Sequence, residues 1–348
     1  MKKKYNVAVV GVGAVGIEML RCLKKRNFPV GKLRVLARSS REIEVGSHKY
    51  EVQAITPDAF SGVEIALFAG TEGEKGAAVT FAPEAIKRGA VVIDNGADFR
   101  MDPGVPLIVP EVNPQDINPV KNWLRGKGKK ISNGAGKHKG IIANPNCSTI
   151  QMVVALWPIY RKAGLRRIIV SSYQAVSGAG RGGVAQLESE LKGEPVSQKA
   201  FNYPIAGNVI PHIGGFAEFD YTSEEWKMVH ETHKIMHDSR IKISATCVRV
   251  PVISGHSEAI YIETRKAISL QAVRNLLSVA KGVKVVDAPQ DNLYPLAIHS
   301  AGREEVFVGR IRRDPFVKNG LWLWVVSDNL LKGAALNAVQ IAELLCSS

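Results

Sequence analysis

Short apolar runs alternate with amphipathic stretches through the first third of the chain. Asn6 to Val10 reads as a buried strand, and the residues from about Val15 to Lys25 carry their apolar side chains at helical spacing. Leu33 to Leu36, Val63 to Ala69 and Ala90 to Ile93 read as further strands, with a helix around Lys75 to Arg88 before the last of them. Strands and helices in this alternation predict a parallel, doubly wound α/β sheet, whose ligands gather beyond the carboxyl ends of its strands. A further apolar run, Ile141 to Ala143, meets Asn144, Pro145 and Asn146, which favour a turn. From Ser148 onward Ile150, Val153, Val154 and Trp157 recur at helical spacing. Arg167 to Gln174 then reads as a strand, SGAGRGG (Ser177 to Gly183) as a flexible turn, and EEWKMVHETHKIM as a helix. A strand bearing Arg249 is broken by Pro251, and Ser327 to Leu345 reads as one long amphipathic helix that packs back on the first domain.

Length and composition narrow the class. At 348 residues the chain is long enough for two domains, and its 45% hydrophobic and 22% charged content is that of a globular protein. No apolar run reaches membrane-span length, and the lysines of Met1 to Tyr5 precede only a short strand, so a cytoplasmic protein without a secretory signal or membrane partner is expected. Cys22, Cys147, Cys247 and Cys346 lie too far apart to suggest zinc or a disulfide framework, so reduced thiols and no metal are expected. The net charge of +14 admits nucleic acid or an anionic substrate as partner. Part of the excess sits in Lys121, Arg125, Lys127, Lys129, Lys130, Lys137 and Lys139, a run without one acid. Its glycines and Asn133 predict a solvated loop, which favours the small anion over nucleic acid.

Candidate chemistry lies at the ends of the predicted strands. The string GVGAVG, with Gly11, Gly13, Ala14, Val15 and Gly16, follows a strand and opens a helix, a context in which glycines let the backbone approach a pyrophosphate resting on the helix N-terminus. After the next strand an NAD site offers an acid; here stand Arg38, Ser39, Ser40 and Arg41, which suit the 2′-phosphate of NADP. Gly70 and Thr71, and Asn95 and Arg100 of DNGADFR, occupy the ends of two further strands, Arg100 being either a carboxylate or phosphate fork or a surface ion pair.

Cys147 is placed at a helix N-terminus, where unpaired N–H groups favour a thiolate. A free cysteine with a pKa of about 8.5 is only roughly 3% ionised at neutral pH, so a nucleophile there also needs a nearby histidine or cation. Cys147 is therefore either an activated nucleophile or a small buried residue. His256 is a candidate base; Glu231 and Lys234 share a helix face, as a ligand pair or a surface ion pair; the glycine-rich turn after Gln174 brings backbone near a ligand or is a plain loop.

With these pieces in order, the chain resembles the aspartate-semialdehyde dehydrogenase family, carried by NPNCSTIQM, QAVSGAG, RVPVISGHSEA, EVFVGRIRRDP and NLLKGAALNAVQIAE over nearly the whole length. The resemblance implies a Rossmann-type NADP-binding domain (1–147 and 328–348), an α+β catalytic and dimerisation domain (148–327), and a homodimer or tetramer. It implies reductive dephosphorylation of L-aspartyl-4-phosphate to L-aspartate-4-semialdehyde, with inorganic phosphate as partner, in lysine, diaminopimelate, threonine, isoleucine and methionine biosynthesis. Position by position, Cys147 matches the nucleophile that forms a thioester, His256 the acid/base, and Gln174 the glutamine that orients the substrate, with Asn146 beside it. Arg249 matches the grip on the substrate carboxylate, Glu231 the residue near its amino group, and Arg100 and Lys234 the phosphate-binding pair. Gly11 to Gly16, Arg38, Ser39, Gly70, Thr71, Asn95, Ser177, Gly178 and Asn329 match cofactor contacts. The chain departs from the family in having GVGAVG for GATGAVG, DNGADFR for DNSSAFR, and what looks like an insertion at 118–137. The readings set against this one are a reductase of another acyl phosphate or acyl-CoA on the same scaffold, and a binding protein that uses its basic loop.

Overall fold

The computed structural model describes residues 3–70, 76–124 and 140–347. The chain divides into two compact units, Met1–Pro145 with Ala334–Ser348, and Asn146–Gly333.

The first unit runs through β1 (Tyr5–Val10), α1 (Ala14–Lys25), β2 (Val30–Ala37), β3 (Arg41–Val45), β4 (His48–Ala54), β5 (Ile65–Phe68), α2 (Ala77–Lys87), β6 (Val91–Asp94), α3 (Asn118–Leu124) and β7 (Ile141–Ala143). Its sheet has the order β3-β4-β2-β1-β5-β6-β7. Every pair is parallel except β3 with β4. Val7, Ala8, Val9 and Val10 are all buried, as a central strand covered on both faces requires. The chain leaves β1 toward β2 on one side and comes back at β5 on the other, so the crevice beyond the ends of β1 and β5 is the place for a ligand. Sequence reading missed the β3–β4 hairpin, where Ile43, Val45 and Val52 alternate with charged residues and Gly46 turns the chain at φ +64°. Arg41, grouped by sequence with Arg38, Ser39 and Ser40 after the second strand, is itself the first residue of β3.

The second unit comprises α4 (Cys147–Ala163), β8 (Leu165–Gln174), α5 (Gly180–Lys192), α6 (Ser223–Met236), β9 (Lys242–Arg249), β10 (His256–Thr264), α7 (Leu270–Ser278), β11 (Val283–Val285), α8 (Ala297–Ser300), β12 (Val306–Arg313) and β13 (Gly320–Ser327). The mixed sheet has the order β11-β12-β13-β10-β8-β9. Period-two alternation buries Ile168, Val170, Ser172 and Gln174 of β8 and leaves Ile169 and Tyr173 partly exposed. Helix α4 packs against β8, β10, β12 and β13.

Two elements differ from the sequence expectation. SGAGRGG is not a flexible turn: Val176–Ala179 forms one 3₁₀ turn and α5 starts at Gly180, because Gly183, Gln186 and Leu187 are buried at helical spacing. The long helix expected from Ser327 also starts later. Ser327 ends β13, the Asp328 carboxylate accepts the N–H groups of Leu330 and Leu331 at 2.8 and 3.0 Å, and a π-turn at Leu331–Ala335 leads into α9 (Leu336–Cys346). Within the first unit, Asn337 of α9 donates to the Ile108 carbonyl and to Asn144 Oδ1, and Glu343 pairs with Arg26 at 2.7 Å. The unit boundaries consequently fall two and six residues from those expected, with Asn146, Cys147 and 328–333 in the second unit. Asn146 is tied to α6, and Asp328 accepts the Gly302 N–H. Among the described residues no helix is long and apolar enough to cross a membrane.

Candidate active site

Within the first unit the glycine string does what a dinucleotide loop needs. Gly11 leaves β1 at φ +99°, and a Cβ on Gly16 would stand 1.9 Å from the Gly11 carbonyl oxygen, so α1 can approach β1 this closely only with glycine there. Gly13 precedes the helix and Ala14, Val15 and Gly16 form its first turn, with open space around Gly13. Main-chain N–H groups at that end are available to a pyrophosphate, so these residues fit the cofactor. Arg38 and Ser39 follow β2, the neighbour of β1, and Arg41 donates to the Ser39 carbonyl and hydroxyl at 3.3 and 3.1 Å. Gly70, at φ +87°, follows β5; Thr71 lies outside the described residues. Asn95 Nδ2 donates to the Phe68 carbonyl at 2.8 Å. Arg100 is buried rather than a surface ion pair, donating from Nε to the Asn144 carbonyl at 3.0 Å and from Nη2 to the Asn95 carbonyl at 2.7 Å. Part of the fork that a phosphate contact would use is therefore given to the main chain. Of the basic run, only Lys121 is described, with its Nζ 3.1 Å from Ser347 Oγ.

The second unit holds the nucleophile candidate and the groups around it. Cys147 is the first residue of the 17-residue α4, capped by Asn146, whose Oδ1 accepts the N–H groups of Ser148 and Thr149 at 3.0 and 3.2 Å. Cys147 is partly exposed, unlike Cys22 and Cys247, which are buried; burial and nearby carboxylates push the Cys247 thiol far above its ordinary range.

Arg249, at the end of β9, is the neighbour that Cys147 and His256 share. Burial works against its charge, while the nearby Glu224 carboxylate favours it, and the Cys147 sulfur lies within its electrostatic reach. Its Nη1 donates to the Ala175 carbonyl at 2.7 Å and its guanidinium lies 5.9 Å from the centre of the Phe201 ring. His256, at the start of β10, is fully buried; burial first, and Arg249 second, hold it well below its ordinary pKa and hence neutral. The Ala175 N–H donates to His256 Nδ1 at 3.1 Å, which fixes the ring proton on Nε2. Nε2 has no hydrogen-bond partner among the described residues, and a Cβ on Gly178 would stand 3.3 Å from it and 2.7 Å from Arg249 Nη1. Glycine at 178 thus keeps space open in front of both groups.

Gln174 ends β8 beside Arg249, its partner in register. Its Nε2 donates to Ser172 Oγ and to Glu224 Oε1, both at 3.2 Å, and Glu224 Oε1 also accepts from Asn146 Nδ2 at 2.8 Å. Burial disfavours the Glu224 carboxylate, yet Lys227, Asn146, Gln174 and Arg249 together outweigh it and hold the acid below its ordinary pKa. Sequence reading missed Glu224 and Lys227. The E-x-x-K spacing occurs twice on α6, seven residues apart and so on one face, and the pair chosen was the second. Glu231 of that pair is buried and accepts the Asn146 main-chain N–H at 2.7 Å, and Lys234 is half-buried one turn further on. It is Glu224 of the first pair that meets the Gln174 and Asn146 side chains, and Lys227 Nζ stands 3.4 Å from Glu224. Asn329 is occupied within the protein: Nδ2 donates to Ser177 Oγ, and Oδ1 accepts the N–H of Gly255, the residue before His256, both at 3.0 Å.

A family model described as the NAD binding domain of semialdehyde dehydrogenases matches residues 6–120, and one described as their dimerisation domain matches 156–332. An aspartate-semialdehyde dehydrogenase of Aquifex aeolicus is 52% identical, with 98% of each chain covered. One from Bacillus subtilis is 47% identical, covering 99% of this chain and 98% of that one. Among solved structures, aspartate semialdehyde dehydrogenase II of Vibrio cholerae complexed with ASA is similar at a TM-score of 0.88 and 43% identity, over 99% of this chain and 98% of that one.

Proposed function

Because the chain belongs to the aspartate-semialdehyde dehydrogenase family, we propose that it converts L-aspartyl-4-phosphate to L-aspartate-4-semialdehyde with NADPH, through a thioester on Cys147. The observation that carries the reading is the convergence of Cys147, Gln174, Glu224 and His256 around Arg249 and Asn146. A dianionic amino-acid substrate needs a buried cation for its carboxylate, an acid for its ammonium, and a partly exposed thiol at a helix N-terminus for its acyl carbon. Arg249 supplies the first, Glu224 the second and Cys147 the third.

In this reading the Cys147 sulfur attacks the acyl carbon and the bond to phosphate breaks, leaving a thioester. His256 donates a hydrogen bond from Nε2 to the oxyanion of the tetrahedral adduct, and its neutrality lets it do so without repelling Arg249. Gln174, held between Ser172 and Glu224, orients the acyl group. Gly11 to Gly16 with Arg38 and Ser39 are the residues that would hold a dinucleotide, which when bound would supply hydride to the acyl carbon; the C–S bond then breaks, releasing the aldehyde and returning the Cys147 thiolate. Arg38 and Ser39 at the end of β2, with no acid beside them, support NADP over NAD. Self-association as a dimer is supported by the dimerisation-domain match and by the part-exposed Ile169 and Tyr173 on the outer face of β8.

The test is reduction of NADP by L-aspartate-4-semialdehyde with and without inorganic phosphate, NAD being run alongside. Phosphate-dependent turnover that prefers NADP is the expected result. Turnover only with an acyl-CoA and without phosphate would move the chain to another substrate on this scaffold.

A further inference from the structure

Beneath Cys147 and His256 lies a second polar layer that the mechanism above does not use. The strand registers line up Cys247, Ser172, Glu258 and Val325 across β9, β8, β10 and β13. Two residues nearer the strand ends stand the pairs Arg249 with Gln174 and His256 with Ser327. His256 and Glu258 share a face of β10, and Cys147 and Gln151, four apart, share a face of α4. Glu258 and Gln151 are both 0% exposed. Gln151 Oε1 accepts from Ser327 Oγ at 2.8 Å, and the rest of its amide lies alongside the Glu258 carboxyl. Neither Glu258 oxygen, nor Gln151 Nε2, closes a hydrogen bond of normal geometry with any described residue.

We propose that Glu258 is a positioning residue for Cys147 and His256, bracing the first turns of α4 against β10 and β13 through Gln151 and Ser327. A carboxyl with no exposure and, among the described residues, no hydrogen bond of normal geometry cannot hold a charge cheaply, and burial, opposed only in part by the Gln151 amide, drives Glu258 well above the usual carboxylate range, so it sits there as the neutral acid. Its titratable or charged surroundings include the Cys247 thiol in the same row, which also feels Glu224 and Glu225, and neutral His256 two residues away, which also feels Arg249. A neutral acid has one donor and one acceptor, which complements the Gln151 amide. The brace works through both elements: Gln151 is one turn along the helix from Cys147, and Ser327 is the cross-strand partner of His256. An apolar residue would fill this volume at lower cost, so a buried acid facing an amide is informative.

The inference rests on the functional reading above, and its test includes a readout that does not. Turnover with semialdehyde, NADP and phosphate is compared in wild type, Glu258→Ala, Glu258→Gln and Gln151→Ala, together with the pH profile of Cys147 alkylation by iodoacetamide, which needs no substrate. Loosening α4 by a fraction of an ångström lowers kcat by about 100-fold in Glu258→Ala while KM stays in place. The same variant shows slowed alkylation with an altered pH profile, and Glu258→Gln restores both. Gln151→Ala reproduces the loss from the helix side and decides the matter should Glu258→Ala not fold. Glu258→Ala and Gln151→Ala that fold and keep wild-type turnover and alkylation would overturn the proposal, as would a Glu258→Gln variant as impaired as Glu258→Ala, since the acid would then be moving a proton. Should wild type fail to turn over the semialdehyde, the functional reading falls and the alkylation comparison still decides the brace.

Discussion

Glu224 and Glu231, two turns apart on one face of α6, divide the work around Asn146: one accepts its side-chain amide, the other its main-chain N–H. Glu224 also reaches Gln174. Glu224→Gln is therefore expected to raise KM for the semialdehyde by about 10-fold or more, as the loss of a charge-assisted contact does, while Glu231→Gln acts mainly on stability. Steady-state kinetics and thermal melts of the two variants separate the roles, and equal KM values would assign the ammonium contact elsewhere. Arg249→Lys is expected to cost more than 100-fold in kcat/KM, or about 3 kcal/mol, because an ammonium cannot hold the Ala175 carbonyl and a carboxylate in one plane. At Glu258 the pH dependence has a definite sign. Its folded-state pKa is raised above the 4.5 of a free glutamate, so the folded state binds the extra proton and wild type loses stability as pH rises above 4.5. Glu258→Gln removes that loss: its melting temperature should exceed that of wild type at neutral pH, the gap closing toward pH 4.5. Of these residues, Cys147, Gln174, Arg249 and His256 stand out in the sequence through strand ends, a helix start and family strings. Glu224 does not, because an E-x-x-K pair looks the same wherever it falls on a helix and only the strand pairing says which turn faces Gln174. Glu258 is equally hidden, since a strand pattern cannot tell an acid turned inward from one turned to solvent.

At the scale of elements, α4 and α1 each carry at their N-terminal end a residue whose replacement has a calculable effect. Asn146→Ala removes the cap of α4 and the partner of Glu224 together, and should cost at least about 1 kcal/mol of stability, read from a denaturant melt, and slow Cys147 alkylation. Asn146→Asp keeps the cap but sets a second carboxylate against Glu224, so it should restore stability less well as pH rises. Gly16→Ala forces a Cβ onto the Gly11 carbonyl oxygen and should weaken NADP binding while costing about 1–3 kcal/mol, measured by dinucleotide titration and thermal melting. Unchanged affinity would place the cofactor away from α1. Apolar periodicity alone reveals β1, α1, β5, β6, α4 and β8 within a few residues. It misses the β3–β4 hairpin, whose alternating charges resemble a solvated loop. It also overextends the last helix, because Leu330 and Leu331 join the apolar pattern of the residues that follow while Asp328 caps and redirects the chain.

For the whole molecule, charge and assembly are the properties that belong to no single element. A net charge of +14 facing a multiply anionic substrate predicts that kcat/KM for L-aspartyl-4-phosphate falls as salt is raised from low ionic strength, over the range in which the Debye length shortens from about 30 to about 8 Å. A flat response would leave recognition to the contacts of Arg249 and its neighbours. Light scattering should give a dimeric mass, with charged substitutions at Ile169 and Tyr173 shifting it toward monomer. Two domains and a parallel sheet are legible from the alternation of strands and helices, whereas the mixed sheet of the second unit is not, since its antiparallel pairings join segments far apart in sequence. The central claim, a thioester on Cys147, is tested most directly by mass spectrometry of protein mixed with L-aspartate-4-semialdehyde and NADP in the absence of phosphate. An aspartyl adduct confined to the peptide carrying Cys147, formed in step with NADP reduction and discharged when phosphate is added, is the result expected. NADP reduction with no adduct on that peptide, or an adduct that persists unchanged in Cys147→Ser, would contradict it.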